Sequence, residues 1–158
     1  MKKLHFCYGH RLPGNSGKCS TLHGHNAVVE VHATPLATSE NQNLAELNSQ
    51  GMVIDFSVIK EKIGSWIDEH WDHTTILAEQ DVETVQLLRQ CPGVKNPFLL
   101  PGNPTAENLA NYLLHVVCPR ELKRTGIVVH KIVFWETDSC FAEESLDPYS
   151  ESARNYYE

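Results

Sequence analysis

Cys19-Ser-Thr-Leu-His-Gly-His-Asn-Ala-Val-Val-Glu-Val-His-Ala33 joins the chain's most reactive residue types to its clearest strand. From Asn26 to Ala33 the run is rich in β-branched residues and partly alternates, which reads as a strand. His23 and His25 stand two apart where that strand begins, so both imidazoles point to one face. Gly24 between them leaves the other face open to close approach. Two imidazoles on one face make half a zinc site, since Zn²⁺ takes histidine nitrogens at about 2.0–2.1 Å. The third nitrogen has a candidate in His10, at the end of a strand expected over residues 3–10. Three histidines and an open position are the arrangement of catalytic rather than structural zinc. A His-x-His pair by itself is more often plain polar surface; Cys19 and His10 nearby make the difference here.

Outward from that stretch, the turn-rich Leu12-Pro-Gly-Asn-Ser-Gly-Lys18 links the two strands. Residues 34–50 are polar and read as a connection. Asp55 or Ser57 can cap a helix with Ile59, Ile63, Trp66, Ile67 and His70 on one side. Asp81 to Gln90 reads as a short second helix stopped by Pro92-Gly93. A further helix opens at Asn103-Pro-Thr, with proline in its first turn and Leu109, Leu113, Val116 and Val117 on one face. Ile127 to Trp135 is a β-branched strand ending at Glu136, and the tail from Glu143 is acidic and polar and reads as loose at its end. Strands, helices and a final strand, without repeat or linker, predict one α+β domain over 1–158 with antiparallel strands.

Composition narrows the function classes. A formal net charge of −7, with scattered lysines and arginines, argues against a nucleic-acid surface. No apolar run approaches the roughly 20 residues of a membrane span. The basic pair near Met1 has no apolar stretch behind it, so no export leader is expected and the expected address is cytoplasmic. Five cysteines without a CxxC pair read as reduced thiols.

Three further positions carry chemistry with alternatives open. Cys19 is a fourth zinc ligand, a small buried apolar residue, or a nucleophile or base whose thiolate nearby positive charge would favour. His73, after Asp72 at a helix end, is either an ordinary helix-end residue or a general acid/base with an unperturbed pKa of about 6.5. Adjacent side chains point apart, so a working His73 should meet a partner across the fold. Glu136, closing an apolar strand, needs a partner for its charge. That partner is an Arg or Lys of the protein, or a guanidine-like ligand edge offering two parallel N–H donors.

Phe6-Cys-Tyr-Gly-His-Arg-Leu-Pro13, Lys18-Cys-Ser-Thr-Leu-His-Gly-His25, Gly51-Met-Val-Ile-Asp-Phe56, Asp72-His73, Asn103-Pro-Thr-Ala-Glu-Asn108 and Trp135-Glu-Thr137 together resemble the 6-pyruvoyltetrahydropterin synthase superfamily. The three residues between Cys19 and His23 resemble its bacterial 6-carboxy-5,6,7,8-tetrahydropterin synthase branch, of queuosine biosynthesis. The resemblance implies a tunnelling fold, an antiparallel sheet with two main helices on one side, assembled as a hexameric barrel with active sites between subunits. It makes His10, His23 and His25 ligands of a Zn²⁺ cofactor. Cys19 becomes the catalytic base, completed by Asp72 and His73 from the same or a neighbouring chain. Glu136 holds the pterin's amino–oxo edge and Thr105 lies near its ring; Arg11 and Lys18 flank the site in sequence, which makes them candidate contacts of the triphosphate. The implied activity is lyase chemistry on 7,8-dihydroneopterin triphosphate, giving the 6-carboxy product, acetaldehyde and triphosphate. A pyruvoyl product from the same substrate, a zinc hydrolase and a non-catalytic pterin or zinc binder are the rival readings. The chain departs from the family's pattern at Ile76-Leu77, at Glu144 and in a longer stretch from Ala78 to Leu100.

Overall fold

The computed structural model describes residues 1–36, 47 and 50–157. Strands β1 (Lys2–His10) and β2 (His23–Pro35) form an antiparallel pair in which His10 faces His23 and Tyr8 faces His25. Along β1, Leu4, Phe6, Tyr8 and His10 are buried while the residues between them are not. In β2 the matching set is Ala27, Val29 and Val31. One sheet face therefore packs and the other is open, as alternation dictates. The expected connection over 34–50 lies mostly outside the described residues; Thr34 and Pro35 belong to β2.

The covering layer is two long helices. Helix α1 runs through Phe56–Ile59, a wider-wound turn at Lys60–Gly64, and Ser65–His70. Asp55, of the two expected caps, accepts a hydrogen bond from the Ser57 amide at 2.8 Å. Ile59, Ile63, Trp66 and Ile67 are buried as their spacing predicts, and His70 stacks flat on Trp66. Between β2 and the last strands come β3 (Thr74–Ala78), α2 (Val82–Gln90) and β4 (Phe98–Leu100). Helix α3 follows, through Ala106–Tyr112, a wider-wound Leu113–Val117 and Cys118–Glu121. Strands β5 (Ile127–Thr137) and β6 (Cys140–Ser145) and helix α4 (Glu151–Tyr157) complete the chain.

The α+β class holds, with one correction. The six-stranded sheet, in the order β4-β3-β1-β2-β5-β6, is mixed, because β3 runs parallel to β1 and β4 parallel to β3. For β4 the long stretch from Ala78 to Leu100 supplies the reason: α2 carries the chain back so that β4 starts at the same end as β3. Pro104 lies before the α3 cap Thr105 instead of inside the first turn. Val116 is 44% exposed, because the wider winding of Leu113–Val117 turns Leu114 and Cys118 inward in its place. The acidic tail is not loose: α4 buries Ala153 and Tyr157 in the core.

Candidate active site

Strand pairing assembles the histidines. His10 and His23 are direct partners across β1 and β2, and His25 sits two residues along on the same face. Their ligand nitrogens all lie within 4.8 Å of one another. A Cβ at Gly24 would lie 2.9 Å from the Tyr8 carbonyl oxygen, so the strands reach this spacing only with glycine there.

The hydrogen bonds fix the tautomers. His10 Nδ1 donates to the Pro104 carbonyl at 2.7 Å, and His23 Nδ1 donates to the Thr21 carbonyl at 2.7 Å. In neutral rings both Nε2 atoms are then bare acceptors, yet they face each other at 3.0 Å. Burial holds the His10 imidazole below its ordinary value, and His23 and His25 push the same way. A protonated ring is thus disfavoured, and two opposed lone pairs repel unless a cation shares them. Two nitrogens on one tetrahedral zinc stand about 3.3 Å apart. The donor set and the carbonyl partners on Nδ1 fit a zinc ion. Among the described residues Cys19 does not join this group; it is exposed in the short turn Lys18–Ser20.

Glu136 enters from β5. Its Oε1 accepts a hydrogen bond from the Tyr8 hydroxyl at 3.0 Å and lies 3.8 Å from His10 Nε2. Burial, together with the Glu136 charge, pushes the Tyr8 phenol far up, which keeps it a donor. Among the described residues no Arg or Lys pairs with this carboxylate, so its protein partner is a neutral phenol. Tyr8 was not singled out by the sequence reading, although its place two residues before His10 on the same strand face was a usable signal.

Asp72 and His73 lie beside Cys7, at the start of β3. Asp72 Oδ1 accepts from the Cys7 amide at 2.9 Å, and the His73 amide donates to the Cys7 carbonyl at 2.7 Å. Contrary to expectation the two neighbours do pair: His73 Nδ1 meets Asp72 Oδ2 at 2.8 Å. The left-handed backbone of His73, φ 52°, brings the ring back over its neighbour. The His73 ring is largely exposed, and among the described residues no hydrogen bond joins it to Cys19. Thr105 accepts from the Asn108 amide, next to the Pro104 carbonyl that holds His10. Arg11 is engaged within the chain, with Nε 3.3 Å from Asp81 and Nη1 donating to Thr84 at 3.1 Å; Lys18 is exposed.

Comparison with known proteins follows the same outline. The chain is 37% identical over 142 residues to the 6-carboxy-5,6,7,8-tetrahydropterin synthase of Rickettsia felis, covering 90% of this chain and 96% of that protein. Its fold is similar to that of an uncharacterized protein from Wolinella succinogenes, with a TM-score of 0.72, 24% identity, and 92% and 96% of the two chains covered. It is also similar to a catalytic-residue mutant of Plasmodium vivax 6-pyruvoyltetrahydropterin synthase, with a TM-score of 0.59, 20% identity, and 92% and 98% covered. The family model described as 6-pyruvoyl tetrahydropterin synthase matches residues 1–146. By that match and that relative, the chain belongs to the 6-pyruvoyl tetrahydropterin synthase family.

Proposed function

We propose that this chain is a 6-carboxy-5,6,7,8-tetrahydropterin synthase. It converts 7,8-dihydroneopterin triphosphate and water into 6-carboxy-5,6,7,8-tetrahydropterin, acetaldehyde and triphosphate, on the route to queuosine. It does so in the cytoplasm, as a hexamer with its active sites between subunits. The observation that carries the reading is the trio His10, His23 and His25, with the lone pairs of His10 and His23 opposed and the Glu136 carboxylate beside them. Relatives bearing that enzyme's name over nine-tenths of the chain support the choice of product.

His10, His23 and His25 hold zinc, which when bound supplies a Lewis acid for the substrate's side-chain hydroxyls. Glu136 receives the amino–oxo edge of the pterin through its carboxylate oxygens. Thr105 uses its oxygen lone pair on the Asn108 amide, which leaves its O–H to donate toward the ring. Cys19 takes a proton from the carbon next to the ring. His73 moves protons at Nε2, because its Nδ1 is committed to Asp72. Among the described residues no hydrogen bond joins Cys19 to His73 within one chain, and in this reading a second copy completes the site. Of the two cations near the triphosphate, Lys18 is exposed, whereas Arg11 already holds Asp81 and Thr84.

Purified protein given the triphosphate substrate should release acetaldehyde only when zinc is present, with the 6-carboxy product identified by mass spectrometry. Cys19→Ala should keep its zinc and lose turnover by about 100-fold or more. A pyruvoyl product, or no acetaldehyde at all, would sink the assignment; zinc loss in the cysteine variant would make Cys19 a ligand.

A further inference from the structure

Glu136 has two possible destinations. Its Oε1 lies 3.8 Å from His10 Nε2, one of the three nitrogens pointed at the candidate metal position. A carboxylate that close can rotate onto a metal held there and take the open position, and zinc accepts such oxygens at about 2.0–2.2 Å. It would then no longer be offered to a ligand. Among the described residues, what opposes this rotation is the Tyr8 hydroxyl donating to Oε1 at 3.0 Å. Tyr8 is itself closely packed. It is 3% exposed, stands directly across from His25 in the β1–β2 ladder, and packs edge-on against His10 at 5.0 Å between centroids. Its ring also packs against Phe6 and Phe134, so the hydroxyl is presented from a fixed base.

We infer that Tyr8 is a positioning residue that commits the Glu136 carboxylate to the pterin and keeps it off the metal. This rests on the reading of the site given above. The phenol occupies a lone pair of Oε1, while Oε2, which has no hydrogen bond among the described residues, is left for the amino–oxo edge of the ligand. The same tether leaves the fourth position at the three histidines open to substrate.

The test uses the full chain reconstituted with Co²⁺, whose visible absorption reports coordination without any turnover. Tyr8→Phe removes only the hydroxyl. In that variant the cobalt spectrum should shift, and metal loss to a chelator should slow by about tenfold, in line with the size of outer-shell effects on metal affinity. Adding Glu136→Gln should return both readouts to those of the parent. With zinc and substrate, Tyr8→Phe should raise KM by roughly tenfold, the value of one hydrogen bond to a charged group, and leave kcat within about twofold. Glu136→Gln alone, with Tyr8 in place, should leave the cobalt spectrum unchanged. This arm stands even if Tyr8→Phe does not fold.

An unchanged spectrum and chelator resistance in folded Tyr8→Phe would overturn the inference. So would a shift that survives Glu136→Gln, or a shift caused by Glu136→Gln alone. If the parent binds no cobalt, both the inference and the metal site fall. If the cobalt results are as expected but no protein turns over the pterin triphosphate, only the proposed reaction falls.

Discussion

Asp72 shows how a single side chain ties the site to stability. Burial opposes its ionisation, but the Cys7 amide and the His73 imidazole outweigh that, and its carboxyl sits below the usual value. A folded-state pKa below the unfolded one means the contribution is present above the unfolded value, about pH 4, and is lost as pH falls through the folded one. Urea unfolding followed between about pH 3 and 7 should therefore show a gentler acid slope for Asp72→Asn than for the parent. Equal slopes would deny the carboxylate this role. The histidine trio was legible in the sequence at this scale, because strand alternation alone puts His23 and His25 on one face. The Asp72–His73 pair was not, since it depends on a left-handed backbone at His73 that no periodicity announces. Tyr8 escaped notice for a simpler reason: an aromatic on a buried strand face is first read as core, and only the fold brings Glu136 to its hydroxyl.

Single elements carry the site's outer support. Thr105 caps α3, and the residue before it gives the carbonyl that orients His10. Thr105→Ala should lower stability by about 1 kcal/mol and weaken zinc retention, read by denaturation midpoint and metal content. A variant that loses stability alone would separate the cap from the site. The elements that local pattern decides were foreseen: β1, β2, α1, α2 and β5, each within a few residues of its observed ends. Strands β3 and β4 were not, because Thr-Thr-Ile-Leu-Ala and Phe-Leu-Leu are short apolar runs without alternation. Their parallel pairing depends on what α2 brings back to the sheet, a long-range fact. Likewise the wider turn at Leu113–Val117 shifts the apolar stripe by a residue, which regular helical spacing cannot foresee.

Across the whole molecule, the last residues close the core. Tyr157 is 1% exposed, and its hydroxyl bonds both the amide and the carbonyl of Val129 at 3.3 Å, while its carbonyl accepts from Arg124. Burial pushes its phenol well above the ordinary range, so it remains a donor throughout neutral pH. Tyr157→Ala should cost about 3 kcal/mol or more, the scale of losing a buried aromatic. A thermal midpoint unchanged from the parent would show the tail to be dispensable. The acidic composition after Glu143 concealed this anchor: two apolar residues one helical turn apart are too few to stand out among charges. The facing pair His10 and His23 has a consequence of a different kind. Bridged by one ion, the two rings would close residues 11–22 into a loop sealed at its base, and Lys18 is exposed on that loop. A protease needs several residues of slack chain to cut, so trypsin should nick the Lys18–Cys19 bond severalfold more slowly in zinc than after chelation. Equal nicking rates would mean that the ion does not span the two strands.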